Sequence, residues 1–172
     1  MSQVTTQTSG ASNSAVDHSL KEVLAFRLGD EEYAINILSV QEIRGFEKPT
    51  HIANAPDYLL GVINLRGAIV PVVDLRIRFG NNEPIYSDFT VVIIINVYDK
   101  VIGIVVDAVS DVIMIGQEDI KPAPEFGSAI HTEYLSGLCT LGERMLILVK
   151  IEQLIMGKDL ALFENVHAED FA

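Results

Sequence analysis

A mainly β fold assembled from two copies of one hairpin module is the fold class this sequence predicts. Three observations lead there. The apolar runs are short and rich in Val and Ile, the composition that suits strands. Four pairs of such runs flank tight-turn residues, the signature of β-hairpins. Residues 58–80, laid over residues 134–156, match without a gap at an offset of 76 positions.

The elements follow in chain order. Residues 1–20 are rich in Ser, Thr, Gln and Asn, so they read as a disordered tail with nothing to bury. The first hairpin is VLAFRLGDEEYAINI, turning at Gly29 and Asp30. ILSVQEI, residues 37–43, has apolar residues at helical spacing and reads as a helical connector. The second hairpin, GVINLRGAIVPVVDL, turns at Arg66 and Gly67. PDYLLG before it and LRIRFG after it read as single helical turns. The third hairpin, FTVVIIINVYDKVIGIVVD, turns near Asp99 and Lys100. The fourth, SGLCTLGERMLILVKI, turns at Gly142 and Glu143. EQLIMGKDLALFENV offers a C-terminal helix, broken or capped near Gly157. An acidic tail closes the chain over residues 165–172, which leaves one folded unit over 21–164.

The repeat organises these hairpins. Tyr58 meets Tyr134, Gly61 meets Gly137, Leu65 meets Leu141 and Val73 meets Val149. The first and third hairpins align more weakly, with Asp30 against Asp99. Each half is long enough for a small barrel of about five strands. Barrel closure removes the strand edges that such apolar segments would otherwise expose.

Composition narrows the function. Hydrophobic residues are 49% of the chain and charged residues 21%, so a core is available. The net charge of −12 repels phosphate backbones and anionic lipid. The aromatics are not interleaved with basic residues, which argues against a stacking platform for single strands. No apolar run approaches the roughly 20 residues of a membrane span. No secretory signal is visible, so a soluble, cytoplasmic protein is expected. A single cysteine, Cys139, excludes an intrachain disulfide and cysteine-based zinc sites; its apolar neighbours mark it as core.

Catalytic signals are sparse. There is no phosphate cradle, dinucleotide fingerprint or nucleophile elbow. His18, His51, His131 and His167 are scattered, none at metal-ligand spacing, so no metal or cofactor is expected. Glu31 and Glu32 lie in a turn. Asp107 and Asp111 could form an acid–base pair, although strand-end capping is the plainer reading. A small hydrolase using them and an oligonucleotide-binding barrel are the rival function classes.

The repeat also separates architecture from function, because a polar residue present in one half only is not needed to build the module. Arg66 faces Gly142, so this turn can be made without an arginine. Arg66 therefore either presents a cation to a partner or pairs with an internal acid. Gly67 supplies the backbone freedom of the turn. Ser39–Gly45 has VSDVI, residues 109–113, as its rough counterpart. Val40, Glu42 and Arg66 together would make an interface centre with a polar rim.

LGDEEYAINILSVQEIRG, GVINLRGAIVPVVDLRIRFG, VIGIVVDAVSDV and EYLSGLCTLGERMLILVKIEQL occur in this order. Together they resemble the CheW family of bacterial chemotaxis coupling proteins, from about residue 22 to residue 164. The resemblance implies two intertwined five-stranded SH3-like β-barrels with short connecting helices and a C-terminal helix. It implies a non-catalytic adaptor that joins the cytoplasmic tips of methyl-accepting chemoreceptors to the regulatory domain of a CheA-type histidine kinase. It implies a receptor-binding groove containing Val40, Glu42, Arg66, Gly67 and Val109, and a kinase-binding face on the barrel edges. No nucleic acid and no direct membrane insertion are implied; contact with membrane receptor arrays runs through partners. The chain lacks a phosphotransfer helix and an ATP-binding segment, which separates it from the kinase.

Overall fold

The computed structural model describes residues 20–81, 83–123 and 134–156. The strands are β1 (Leu20–Leu28), β2 (Glu31–Asn36), β3 (Val40–Gly45), β4 (Leu59–Leu65), β5 (Ala68–Asp74), β6 (Val91–Val97), β7 (Lys100–Val106), β8 (Ala108–Gly116), β9 (Ile120–Lys121), β10 (Leu135–Leu141) and β11 (Arg144–Val149). Two short helices follow the second and fourth hairpins, α1 (Leu75–Arg78) and α2 (Ile151–Met156). Single 3-10 turns, Ile37–Ser39 and Gln117–Asp119, precede β3 and β9.

The strands form two sheets, one of six ordered β8-β1-β2-β11-β10-β9 and one of five ordered β3-β6-β7-β5-β4. Each curls around its own core as an SH3-like barrel, but the end strands are not hydrogen-bonded to one another, so the closure expected of two five-stranded barrels is incomplete. Under the repeat, β1–β2 corresponds to β6–β7, β3 to β8, and β4–β5 to β10–β11. The two orders are then the same, and each sheet takes its central hairpin from the other half of the chain. That exchange is what intertwines the modules. Its registers are duplicated too. Val72 lies opposite Gly103 where β5 runs parallel to β7. Leu148 lies opposite Ala34 where β11 runs parallel to β2. These are equivalent positions in both halves. Bulges recur at Gln41, between the Val40 and Glu42 pairings, and at Ser110, between those of Val109 and Asp111. One difference remains: the sheet that begins with β8 adds the two-residue β9 at its edge, where the sheet that begins with β3 has only the bridge between Thr50 and Val62.

Three apolar clusters follow from the strand period of two. Val92 and Ile94 of β6 fill the core of one barrel with Leu65, Val70, Val72 and Val105. Val23 and Ala25 of β1 fill the other with Ala34, Ile115, Cys139 and Leu146. The alternate residues, Leu24, Phe26 and Leu28 on β1 and Ile93, Ile95 and Val97 on β6, meet in a larger central core between the sheets. Central strands buried on both faces explain the continuous apolar runs.

Two local expectations change. Residues 37–43 are not a helical connector: after one 3-10 turn, capped by Asn36 Oδ1 on the Leu38 amide at 2.9 Å, the chain enters β3. β-branched Val40 and Ile43 and pairing with β6 outweigh the helical spacing. The third turn lies one residue earlier than expected, at Tyr98 and Asp99, both with positive φ. The helix expected at the C-terminus is present over Ile151–Met156. Its continuation, His18, His131, His167 and both tails lie outside the described residues, except that Leu20, the last residue assigned to the N-terminal tail, already opens β1.

Candidate functional site

The hairpin tip between β4 and β5 carries the most exposed arrangement of predicted site residues. Asn64 Oδ1 accepts the Gly67 amide hydrogen at 2.8 Å. Arg66 and Gly67 have φ of 51° and 90°. Two consecutive positive values match a type I′ turn, whose twist suits a two-residue hairpin. A Cβ on Gly67 would meet nothing within 4 Å, so glycine is there for its backbone, not for space. Arg66 is different. Its counterpart Gly142 sits at φ 62°, where glycine is free of penalty, whereas an L-residue costs about 1–2 kcal/mol. The first module therefore holds an arginine at a position where the second uses the cheaper residue.

Arg66 Nη2 donates to Glu42 Oε2 at 2.6 Å. Glu42 also lies 3.9 Å from Arg44 Nη1. The Arg66 side chain remains 71% exposed while Glu42 is 23% exposed. Exposed pairs of this kind add only about 0–1 kcal/mol, so the contact orients the guanidinium more than it stabilises the fold. Val40 opens the same strand as Glu42 and is half-buried against the central core. Of the two sequence readings, the pairing of Arg66 with an internal acid is present, and the side chain stays mostly exposed while it pairs. Val40, Glu42, Arg66 and Gly67 belong to one barrel. Val109 lies on the other sheet, at the position equivalent to Val40, half-buried against the same central core.

The second barrel has its own ion pair, missed in the sequence. Arg144 donates to Glu32 at 2.7 Å and to Asp111 at 2.9 and 3.1 Å. Asp111 is the counterpart of Glu42, but Arg144 aligns with Ala68, the first residue past the turn, and not with Arg66. The signal was the shared acid, not the arginine. Hydrogen bonds from Arg144 hold the Asp111 carboxyl below its ordinary pKa, outweighing a small opposing effect of burial.

These contacts occupy the carboxylates that an enzyme would need free. Asp107 accepts from Arg76 Nη1 at 2.9 Å and from the Gly29 amide at 2.7 Å. Asp111 and Glu32 hold Arg144, and Glu31 accepts the Tyr33 hydroxyl at 2.5 Å. Among the described residues, no three His, Cys, Asp or Glu side chains converge as metal ligands. Cys139 is buried in a barrel core, and burial, with Asp119 adding to it, raises its thiol pKa. His51 is exposed at an apolar recess with Phe46, Leu60 and Tyr86. A cleft of about 560 Å³ runs beside β2 and β11, floored by Leu135, Leu138 and Ile147 and rimmed by acids, with Arg144 as its one cation among the described residues. No described helix is long and apolar enough to cross a membrane.

Comparison with known proteins agrees with this geometry. Residues 22–158 match the CheW-like domain family model. The chain is 56% identical over 146 residues to "Chemotaxis protein CheW" of Klebsiella aerogenes, covering 85% of this chain and 88% of that protein. It is 42% identical over 134 residues to "Probable chemotaxis protein CheW" of Rhizobium etli, covering 78% and 86%. The crystal structure of scaffolding protein TtCheW from Thermoanaerobacter tengcongensis superposes with a TM-score of 0.73 at 33% identity, over 81% of this chain and 90% of that one.

Proposed function

Because this chain belongs to the CheW-like domain family, a family of non-enzymatic chemotaxis scaffolds, we propose that it couples chemoreceptors to a CheA-type histidine kinase in the cytoplasm. It reaches membrane receptor arrays through these partners and enters no bilayer itself. The receptor-facing surface comprises Val40, Glu42, Arg66 and Gly67, with Val109 as its second-sheet member.

The observation that carries this reading is Arg66 at φ 51°. A residue held in a costly conformation, exposed, and replaceable by glycine in the sister module contributes something other than folding. Its fork suits carboxylates or helix-end carbonyls on a partner. Receptor tips are helical bundles, and a helix face can lay its apolar residues against Val40 while its acids meet Arg66. Coupling then needs no chemistry. The protein must bind one signalling state of the assembly better than the other, and that difference in affinity is the whole coupling free energy.

The discriminating variant gives position 66 the glycine found at its counterpart, Gly142. Arg66→Gly removes the cation and relieves the backbone, so folding stability should be unchanged or up to about 1 kcal/mol higher once the lost surface pair is counted. Binding to a purified chemoreceptor cytoplasmic fragment in a sedimentation assay should weaken at least about tenfold, while binding to the kinase regulatory domain persists. Arg66→Ala should lose receptor binding similarly. Receptor binding at the parent level in both variants would remove the site assignment.

A further inference from the structure

The turn between β6 and β7 repeats the anomaly of Arg66 with a different side chain. Tyr98 has φ 51° and Asp99 φ 65°. Neither is glycine, and a bulky residue in the left-handed region is an outlier that needs a reason. The counterpart of Tyr98 in the repeat is Gly29, at φ 63°. Tyr98 is also 68% exposed, so no packing within the described structure repays its conformation.

Topology places Tyr98 beside the tip that carries Arg66 and Gly67. β5 and β7 are parallel neighbours with Val72 opposite Gly103, so the tips that precede them, Arg66 with Gly67 and Tyr98 with Asp99, emerge at the same end of one sheet. β3 joins the other side of the same β6–β7 hairpin, and its first residue, Val40, pairs with Ile95 near that end. Leu38, in the 3-10 turn leading into Val40, is 88% exposed. The equivalent end of the sister barrel is bland. Asp107 stands for Leu38, Gly142 for Arg66 and Gly29 for Tyr98, and there Asp107 is spent on the Gly29 amide. One module thus ends in an aromatic, an arginine and a leucine where its copy ends in an acid and two glycines. Tyr and Arg are the side chains most enriched at the energetic centres of protein interfaces.

Resting on the function proposed above, we infer that Tyr98 is the aromatic anchor of the receptor-facing surface. It sets which helical receptor tips this chain accepts, by filling an apolar notch on a helix face whose acidic residue meets Arg66. Arg66 supplies charge recognition, and Tyr98 supplies shape.

The test uses the full chain and three variants. Tyr98→Gly copies the sister turn, Tyr98→Phe keeps the ring, and Arg66→Gly serves as the reference. Binding to a purified chemoreceptor cytoplasmic fragment and to the kinase regulatory domain is measured for each. Tyr98→Gly should bind the receptor fragment at least about tenfold more weakly. It should keep kinase binding and a thermal midpoint at or above that of the parent. Tyr98→Phe should bind the receptor fragment within about threefold of the parent. If Arg66→Gly loses receptor binding and Tyr98→Gly does not, the anchor assignment fails and the proposed function stands. If both bind normally, both readings fall. If Tyr98→Gly loses kinase binding instead, Tyr98 belongs to a different interface and the inference is overturned.

Discussion

Replacing Arg76 by alanine is expected to destabilise the protein by about 3–5 kcal/mol, more than removing any exposed charge. Arg76 is 2% exposed and Asp74 is fully buried. Asp74 accepts three bonds from Arg76: the amide at 2.9 Å, Nε at 2.9 Å and Nη2 at 2.8 Å. Arg76 Nη1 reaches Asp107 and the Ile85 carbonyl, the latter at 2.6 Å. The Tyr86 hydroxyl donates to Asp74 Oδ2, the oxygen that also accepts from Arg76 Nη2, at 2.9 Å, and the guanidinium lies 4.7 Å from the Tyr86 ring centre. Burial alone would lower the Arg76 pKa, but bonds to Asp74 and Asp107 outweigh it and keep the side chain charged. Burial, followed by Asp74, pushes the Tyr86 pKa up to about 12, so its hydroxyl stays a donor near neutral pH.

The size of that effect comes from what truncation leaves behind. With Arg76 gone, Asp74 keeps a buried negative charge with only Tyr86 and its own helix-start amide to satisfy it. The network also crosses the exchange between modules. Asp107 follows β7, and its second oxygen holds Gly29 in the turn of β1–β2, which belongs to the other sheet. Urea unfolding of Arg76→Ala should show a lower midpoint. Arg66→Ala, losing only an exposed pair, should stay within about 1 kcal/mol of the parent. Equal midpoints for the two variants would show that the buried network is energetically idle. No copy of it exists in the second half, where Lys150 and Glu152 occupy the positions of Asp74 and Arg76 and Lys150 is exposed. That asymmetry makes the network a device of this particular pairing of modules, not of the module itself.

The legible part of the fold was the part the chain states twice. The gap-free match of residues 58–80 to 134–156 carried the duplicated hairpins and their turn positions, because a repeated pattern of inward and outward residues specifies the same pairing in each copy. The recurring bulges at Gln41 and Ser110 and the parallel registers of β5 with β7 and β11 with β2 were not legible in it, since they depend on partners outside the matched segments. The exchange of central hairpins was not legible from the repeat, since β6–β7 would bury the same faces in either sheet; only the resemblance implied it. Arg76 was hidden by residue statistics, which place arginine at the surface. Tyr98 was hidden because tyrosine favours strands and nothing in VYDK marks a turn requiring positive φ. Of the site, Arg66 was legible through its mismatch with Gly142. Its bond to Glu42 was not, because it joins the tip of the β4–β5 hairpin to the strand at the opposite edge of the sheet, 24 residues apart in sequence.

Substituting alanine at Gly61 is expected to cost about 2–5 kcal/mol, and Gly137→Ala should cost nearly as much. The two glycines are equivalent positions at the bulges of β4 and β10. Their φ values are 145° and 152°, a region closed to side chains. A Cβ on Gly61 would lie 1.9 Å from the Thr50 carbonyl oxygen, and one on Gly137 would lie 2.5 Å from that of Lys121. Both obstacles are backbone atoms, so no rotamer change relieves them. Thr50 cannot retreat cheaply, because it exchanges two hydrogen bonds of 2.9 Å with Val62. Gly67→Ala provides the contrast, with a positive φ but open space, and should cost only about 1 kcal/mol. Chemical denaturation of the three variants should rank Gly61→Ala and Gly137→Ala well below Gly67→Ala in midpoint. The reverse order would mean that the edge segments at Thr50 and Lys121 do not close against the bulges. The same close approach therefore covers part of β4 at one edge of its sheet and part of β10 at the equivalent edge of the other, where each would otherwise expose unpaired backbone.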